Sequence, residues 1–243
     1  MSRYLLKLSY DGTAYHGWQI QPNGITVQQV ICDSLKKMLG DDIPVTGCSR
    51  TDAGVHAKEF CCHIDTKLDL PQNAFLKGLN SVLPDDIKVT DCKAVSDDFH
   101  ARYSCKGKRY SYCFYLGKPD PFAERYALKL EKKPDLTLMN KFCKTIIGKH
   151  DFYAFSSSKR TVTDTVRTVT ECDIIEKGDK IYLKIAADGF LYNMVRIIAG
   201  TALAVGEGGL PFDCATEMFE KKDRALGGDT LPAKALVLEE VFY

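Results

Sequence analysis

The stretch Gly47-Cys48-Ser49-Arg50-Thr51-Asp52-Ala53-Gly54-Val55-His56-Ala57 is the part of the sequence around which the rest is organised. It has few bulky apolar residues, and its two glycines allow sharp turns or a close approach of the backbone to a ligand. A short strand is predicted before it at residues 43–45. After it, Phe60, Cys62 and Ile64 alternate with a more polar set, which predicts a half-buried strand. The stretch therefore reads as a loop between strands, where binding and catalytic residues concentrate.

Arg50 and Asp52 are the chemically important pair in this loop. An aspartate with a pKa of about 3.9 is an anion at neutral pH, and a nearby guanidinium favours that anion. Such a carboxylate can be a nucleophile, a general base or a metal ligand, or it can simply tie a turn together in an ion pair. His56 is interpreted as a packing or hydrogen-bonding residue. Cys48 has no neighbouring histidine to activate it, so a thiol nucleophile is not favoured.

The composition is that of an ordinary globular protein. The chain has 243 residues, of which 45% are hydrophobic and 27% are charged, and its formal net charge is +1. This balance does not indicate nucleic-acid binding, so any basic surface must be local. The ten cysteines include no Cys-x-x-Cys pair, and no spacing of His, Cys and carboxylates suggests a metal. Because residues 1–4 do not begin a signal peptide, we expect a cytoplasmic protein with reduced thiols.

The first half shows the element order of a ferredoxin-like domain. Alternation at residues 5–10 predicts a strand, and Thr26 with Gln29 forms a capping box for a helix that ends at Gly40. Pro71 suits the first turn of a second helix. With the strands on either side of the central loop and another strand at 87–95, the order is strand, helix, strand, strand, helix, strand.

A basic and aromatic strand begins the second half. Lys106, Lys108 and Arg109 lead into a strand with Tyr110 on its aromatic face. Charge for phosphates and rings for unstacked bases suit RNA, although an aromatic core strand with a solvated basic end fits the pattern equally well. The rest of this half is predicted to hold a helix at 136–147, a polar tip at 156–160, a hairpin of strands at 166–175 and 181–187, and a final strand at 236–242. The tip is interpreted as an exposed connection, with a lid or an RNA contact as alternatives.

An apolar segment of the second half carries a single charge. Between Gly189 and Gly206 the only formal charge is Arg196, which predicts a buried helix carrying one guanidinium. A buried guanidinium needs a carboxylate or several acceptors. A structural pair with any acidic neighbour and a pair with a functional acid are both open. The arginine and the glycines argue against a membrane span.

Four motifs resemble the tRNA pseudouridine synthase A family. They are Arg-Thr-Asp-Ala-Gly-Val-His-Ala at 50–57, Tyr-Asp-Gly-Thr-x-Tyr-x-Gly-Trp-Gln at 10–19, Phe-His-Ala-Arg at 99–102 and Gly-Phe-Leu-Tyr-x-Met-Val-Arg at 189–196. The resemblance implies isomerisation of uridine to pseudouridine in tRNA, at positions 38, 39 and 40 of the anticodon arm. It implies that Asp52 is catalytic, that Tyr110 contacts the target base and that Arg196 pairs with Asp52. Arg50 is interpreted as a candidate to help hold the space that the flipped base vacates, or the phosphate. A homodimer is also implied. The rearrangement has no net redox change or group loss, so no cofactor is expected.

The predicted fold class is α+β. Two ferredoxin-like halves are expected to join their strands in one mainly antiparallel central sheet flanked by helices, with a cleft between the halves. Residues 1–103 would carry the catalytic loop, and residues 104–243 would carry the base-contact strand and the Arg196 helix. Two rival interpretations remain: a non-catalytic RNA-binding module, which would not need a lone arginine near an acidic loop, and a hydrolase using Asp52, which would need an acid partner and a water-positioning base.

Overall fold

The computed structural model describes residues 1–68, 71–158 and 162–243. Along these ranges, strands and α-helices follow one another as β1 (Ser2–Tyr10), α1 (Val27–Leu39), β2 (Val45–Gly47), β3 (His56–Thr66), α2 (Gln72–Val82), β4 (Ile87–Val95), β5 (Gly107–Tyr115), α3 (Pro121–Arg125), β6 (Leu128–Lys129), α4 (Leu136–Thr145), β7 (Gly148–Asp151), β8 (Val166–Lys177), β9 (Lys180–Ala187), α5 (Met194–Gly206), α6 (Cys214–Lys221) and β10 (Leu236–Phe242). The end of the predicted polar tip, Lys159 and Arg160, lies outside the described residues.

The chain divides into two compact units. One comprises residues 1–106 with 237–243, and the other comprises residues 107–236. The last seven residues of the sequence thus group with the first unit. In both units mainly antiparallel strands pack with helices, which confirms the α+β class predicted from the sequence.

The first unit has the sheet order β4-β1-β3, with β1 antiparallel to both neighbours. The other edge of β3 is shared between two partners. β2 pairs with it antiparallel from Ile64 to Cys62, while β10 pairs with it in parallel at His56 and Ala57. Helices α1 and α2 contact each other, and α2 packs against β4. The predicted order of strand, helix, strand, strand, helix, strand is confirmed in this unit.

Three local predictions in this unit need correction. β2 lies two residues later than predicted, after Pro44, whose missing N–H suits a position outside the ladder. β3 begins at His56, which shortens the loop to residues 48–55. β3 is also buried on both faces rather than half-buried, because the segment around Ala101 and the ring of Tyr243 cover its second face, where Cys61 and His63 lie.

The capping of α1 shows how the local sequence sets its ends. Thr26 Oγ1 accepts a hydrogen bond from the Gln29 N–H at 3.3 Å, as predicted. The Gln29 side chain, however, donates forward to Asp33 at 2.7 Å, so only half of the predicted capping box forms. Gly40 ends the helix with φ of 83°, a left-handed conformation that glycine adopts without strain.

The second unit has the sheet order β6-β5-β9-β8-β7, antiparallel except for the short parallel pair β5–β6. β8 and β9 form the predicted hairpin, closed by Gly178 with φ of 59° and Asp179. Helices α4 and α5 contact each other and pack on β8 and β5 respectively. Every described helix falls short of the length and hydropathy that a bilayer crossing demands.

The ten cysteines all lie in the described ranges and remain thiols, eight of them buried. Burial raises the pKa of the Cys61 thiol to about 12 and that of Cys92 to about 11. Because a thiolate rather than a thiol is the nucleophile, these two side chains act as small apolar residues.

Candidate active site

The loop that carries Asp52 connects β2 to β3 and is closed on itself by a tight turn. It leaves β2 with a backbone hydrogen bond from Cys48 N–H to the Cys61 carbonyl at 2.8 Å. The Asp52 carbonyl then accepts from Val55 N–H at 3.2 Å, and Gly54 inside this turn has φ of 78°. A positive φ at the third residue of a turn is the requirement of a type II turn, which glycine meets best. Asp52 is thus the first residue of a rigid turn.

A second loop, residues 11–24, packs against the Asp52 loop and makes backbone hydrogen bonds with it. Trp18 N–H donates to the Thr51 carbonyl at 3.1 Å, and Gly54 N–H donates to the Tyr15 carbonyl at 3.2 Å. These backbone bonds lie on either side of Asp52 in sequence. They fix the main chain of the catalytic candidate without using its side chain, which is half-buried.

Close packing explains two residues of the second loop. Gly17 has φ of 84°, and a Cβ built on it would lie 2.5 Å from the Thr51 carbonyl oxygen. Only glycine can therefore bring the backbone so near to the Asp52 loop. The Trp18 ring is 2% exposed and stacks on Phe60 of β3, with ring centroids 4.0 Å apart. Two motifs that the sequence separates by about thirty residues thus form one packed unit.

His56, the first residue of β3, connects the end of the Asp52 loop to the second loop. Its Nδ1 lies 3.0 Å from the Gly12 N–H and 3.0 Å from Asp11 Oδ1. One nitrogen cannot accept from the amide and donate to the carboxylate at once. A neutral ring with a bare Nδ1 accepts from Gly12, whereas a ring protonated at Nδ1 pairs with Asp11. In either state His56, which is 4% exposed, is a structural hydrogen-bonding residue, as interpreted from the sequence.

Arg50 is exposed and, within the described part of the chain, forms no ion pair. The interpretation in which Arg50 and Asp52 tie the turn as an ion pair is therefore wrong. The described residues also gather no set of three metal-ligating side chains.

Tyr110 lies on β5 in the second unit, opposite Ile185 of β9. It is 6% exposed, and its ring meets Phe190 edge-on with centroids 5.1 Å apart. The neighbouring Tyr112 points elsewhere, since its hydroxyl donates to the Pro232 carbonyl at 2.9 Å. Burial raises the pKa of Tyr112, so it stays protonated.

Arg196 is the third residue of α5 and is half-buried, not buried as predicted. At the first turn of the helix its long stem can lie along apolar surface while its head reaches solvent. The Nε donates to the Leu231 carbonyl at 2.6 Å, and Nη1 donates to Asn193 Oδ1 at 2.8 Å. The guanidinium thus has two neutral acceptors within its own unit, which accounts for part of the expected need for acceptors.

The basic approach to β5 differs from the prediction of a phosphate-facing cluster. Arg109 donates to both carboxylate oxygens of Glu171 on β8 at 3.0 Å. Lys108 is only 8% exposed, while Lys106 is exposed. Of the three residues, Lys106 alone combines exposure with a charge that no ion pair among the described residues neutralises.

Sequence reasoning missed Asn193 and Leu231. Leu231 contributes a backbone carbonyl, which leaves no mark in the choice of side chain. Asn193 could have been noticed, because an asparagine directly before a helix is typical of an N-cap. The four predicted site residues fall two in each unit: Arg50 and Asp52 on the loop of the first, Tyr110 and Arg196 in the second.

The chain is thus an α+β protein that holds an aspartate on a turn fixed by two backbone hydrogen bonds, an arrangement that suits the class of enzymes that use a carboxylate as nucleophile or base. A profile of the tRNA pseudouridine synthase family matches residues 8–104 and 142–243. The chain is 42% identical over 244 residues to tRNA pseudouridine synthase A 2 of Clostridium perfringens, and the match covers all of both chains. It is 43% identical to tRNA pseudouridine synthase A of Clostridium kluyveri, again over all of both chains. The chain therefore belongs to the tRNA pseudouridine synthase family.

A likeness to a solved structure adds nothing to this. The structure of a Cbf5-Nop10-Gar1 complex aligns with 82% of this chain and 45% of that chain at 13% identity, with a TM-score of 0.37. A likeness of that size carries no argument about fold or function.

Proposed function

We propose that this protein isomerises uridine to pseudouridine in tRNA, at positions 38, 39 and 40 of the anticodon arm, with Asp52 as the catalytic residue. The observation that carries the proposal is the clamp around Asp52, in which backbone bonds at Thr51 and Gly54 fix a half-buried carboxylate on a rigid turn. A preorganised carboxylate is what nucleophilic or general-base catalysis needs. Membership of the tRNA pseudouridine synthase family and full-length relatives of that name supply the reaction and the substrate.

The reaction is a rearrangement that balances without a cofactor. The bond from uracil N1 to ribose C1′ breaks, the base turns, a bond from C5 to C1′ forms, and the hydrogen on C5 leaves as a proton while N1 gains one. Asp52 can attack C6 of uracil, attack C1′ of ribose or remove a ribose proton. Each of these roles needs the ionised carboxylate, and each needs the base to leave its stack at a cost of a few kcal/mol.

The other site residues take roles around the flipped base. Tyr110 contacts the uracil through its hydroxyl or its ring. Arg196 pairs with Asp52, keeping the carboxylate ionised and directed. A guanidinium has five N–H groups, and the contacts with Leu231 and Asn193 use one each on Nε and Nη1. Nη1 and Nη2 together present the fork that a carboxylate accepts. The exposed Arg50 holds the place of the vacated nucleotide or its phosphate.

The assembly and location follow the same proposal. The protein acts as a homodimer in the cytoplasm, and the unit with the Asp52 loop supplies the chemistry. The unit with β5 and α5 supplies the contact with the base. Sedimentation of the purified chain with and without tRNA tests the dimer, and a single monomeric species at micromolar concentration contradicts it.

Tritium release tests the reaction. The protein is incubated with a tRNA transcript carrying tritium at uridine C5, and tritium in water is counted. We expect release by the wild-type protein, none by Asp52→Asn, and wild-type release by Asp41→Asn. Asp41 is an exposed acid of the same unit and outside the loop, so it controls for the loss of a charge.

The same assay separates the rival functions. Tight binding of tRNA without release of tritium indicates a non-catalytic RNA-binding module. Liberation of uracil, measured by chromatography, indicates a hydrolase. Substantial tritium release by purified Asp52→Asn would show that another group performs the chemistry.

A further inference from the structure

Asn193 departs from two local rules at the start of α5. It occupies the N-cap position, where an asparagine side chain ordinarily accepts a hydrogen bond from an N–H of the first turn. Here the side chain makes no capping bond, and the backbone has φ of 62° and ψ of 7° instead of the usual extended conformation. A left-handed conformation is costly for a residue other than glycine, although asparagine tolerates it better than most. Unfavourable backbone conformations of this kind persist where surrounding contacts hold them in place, and they are common at functional sites.

The side chain is used to hold Arg196. Asn193 Oδ1 accepts from Arg196 Nη1 at 2.8 Å, and Asn193 Nδ2 donates to Ser157 Oγ at 2.8 Å. The orientation of the amide follows from chemistry, because a guanidinium has donors only and must face the oxygen. Ser157 is in turn anchored, since its N–H donates to the Tyr192 carbonyl at 3.2 Å.

The second acceptor on Arg196 is also built in. A Cβ on Gly200 of α5 would lie 1.9 Å from the Asp229 carbonyl oxygen, and one on Gly228 would lie 2.4 Å from the Gly200 carbonyl oxygen. These glycines let residues 227–231 lie directly on the helix. The Leu231 carbonyl then reaches Arg196 Nε at 2.6 Å. Two acceptors on two different nitrogens fix the plane and the rotation of the guanidinium.

We propose that Asn193 is a positioning residue: its side chain does not cap α5 but sets the rotation of the Arg196 guanidinium. This inference rests on the proposed function, in which Arg196 directs Asp52. A residue serving only helix stability would place its oxygen on the N–H groups of the first turn. Asn193 places it on the one charged side chain of the helix, so its effect belongs to turnover and not to folding.

Two substitutions separate the side chain from the backbone. Asn193→Gly removes Oδ1 but adopts a positive φ without strain, and this relief offsets part of the stability lost with the side-chain hydrogen bonds, so we expect its melting temperature to stay close to that of the wild type. Asn193→Asp keeps an oxygen for Nη1. We expect kcat for tritium release to fall about 10- to 100-fold in Asn193→Gly, the size of one lost hydrogen bond to a charged group, with KM changed less than about twofold. Asn193→Asp should recover to within a few-fold of wild type.

A third variant tests whether the effect passes through Arg196. Arg196→Lys has no Nη1, so adding Asn193→Gly to it should change kcat by less than about twofold, a strongly non-additive cycle. The inference is overturned if Asn193→Gly turns over at the wild-type rate, if Asn193→Gly and Asn193→Asp lose kcat equally, or if the loss from Asn193→Gly is the same in the Arg196→Lys background. A wild-type protein that releases no tritium would instead refute the proposed function itself.

Discussion

Gly17→Ala tests the clamp around the Asp52 loop directly. The new methyl group would lie 2.5 Å from the Thr51 carbonyl oxygen, which is the same oxygen that accepts from Trp18 N–H. The contact is with backbone, so no side chain can swing away to relieve it. Either residues 51–53 move or the two loops separate.

Gly40→Ala is the matched control for this change. Gly40 has φ of 83° against 84° at Gly17, yet a Cβ on Gly40 would meet nothing within 4 Å. Both variants therefore carry the same left-handed penalty of about 1–2 kcal/mol. Gly17→Ala adds the cost of overpacking, about 1–3 kcal/mol. The free energy of unfolding should be lower in Gly17→Ala than in Gly40→Ala by that added amount.

The chain carries its own probe for this measurement. Trp18 is the only tryptophan, is 2% exposed and stacks on Phe60, so its fluorescence in urea reports unfolding at the clamp. We expect Gly40→Ala to release tritium at the wild-type rate. Gly17→Ala should lose about 100-fold, since a displacement of about 1 Å at a catalytic group costs that much. Equal unfolding free energies in the two variants, with full activity in both, would refute the argument.

Three further outcomes follow from the described contacts. Arg196→Met should abolish most tritium release and lower the unfolding free energy by about 1–3 kcal/mol, measured by circular dichroism in urea, because Leu231 loses a donor; near-normal turnover would contradict this. Affinity for tRNA should fall as the salt concentration rises. Lys106→Ala should flatten that dependence more than Arg109→Ala does, because Glu171 already neutralises the charge of Arg109. Titrations from 50 to 200 mM salt, roughly the range over which such contacts weaken, test this. Burial, aided by Arg3 and His100, lowers the pKa of His63. The contribution of neutral His63 to stability is therefore complete above its unfolded pKa of about 6.5 and declines as the pH falls below that value. His63→Asn should flatten the loss of stability between about pH 7 and pH 5, and an unchanged pH profile would contradict this.

Local signals predicted local structure well. Thr26 and Gly40 marked the two ends of α1 because a cap is a contact between residues three or four apart, and the sequence contains both partners. The loop around Asp52 was recognisable for the same reason, as a polar, glycine-bearing stretch between alternating patterns.

Contacts between distant residues could not be predicted in the same way. The pattern around Arg109 indicates a basic strand end, but it does not show that Glu171 on another strand will take up that charge. Alternation in β3 identifies one apolar face, but burial of His63 on the other face depends on Ala101 and its neighbours. The hydrogen bond between Trp18 and Thr51 joins two backbone groups, so the only trace that it leaves in the sequence is the glycine at position 17.

The pairing of β10 with β3 has a consequence for synthesis of the protein. Val237 and Leu238 pair with His56 and Ala57, the residues at which the Asp52 loop enters its strand. Lys106 N–H donates to the Phe242 carbonyl at 2.8 Å, and the Tyr243 hydroxyl donates to the Ala101 carbonyl at 2.7 Å. A ribosome makes the second unit before it reaches these residues, so during synthesis residues 56–57 of β3 lack their β10 partner. An open strand edge is a template for association with other chains, so this interval exposes the protein to misassembly.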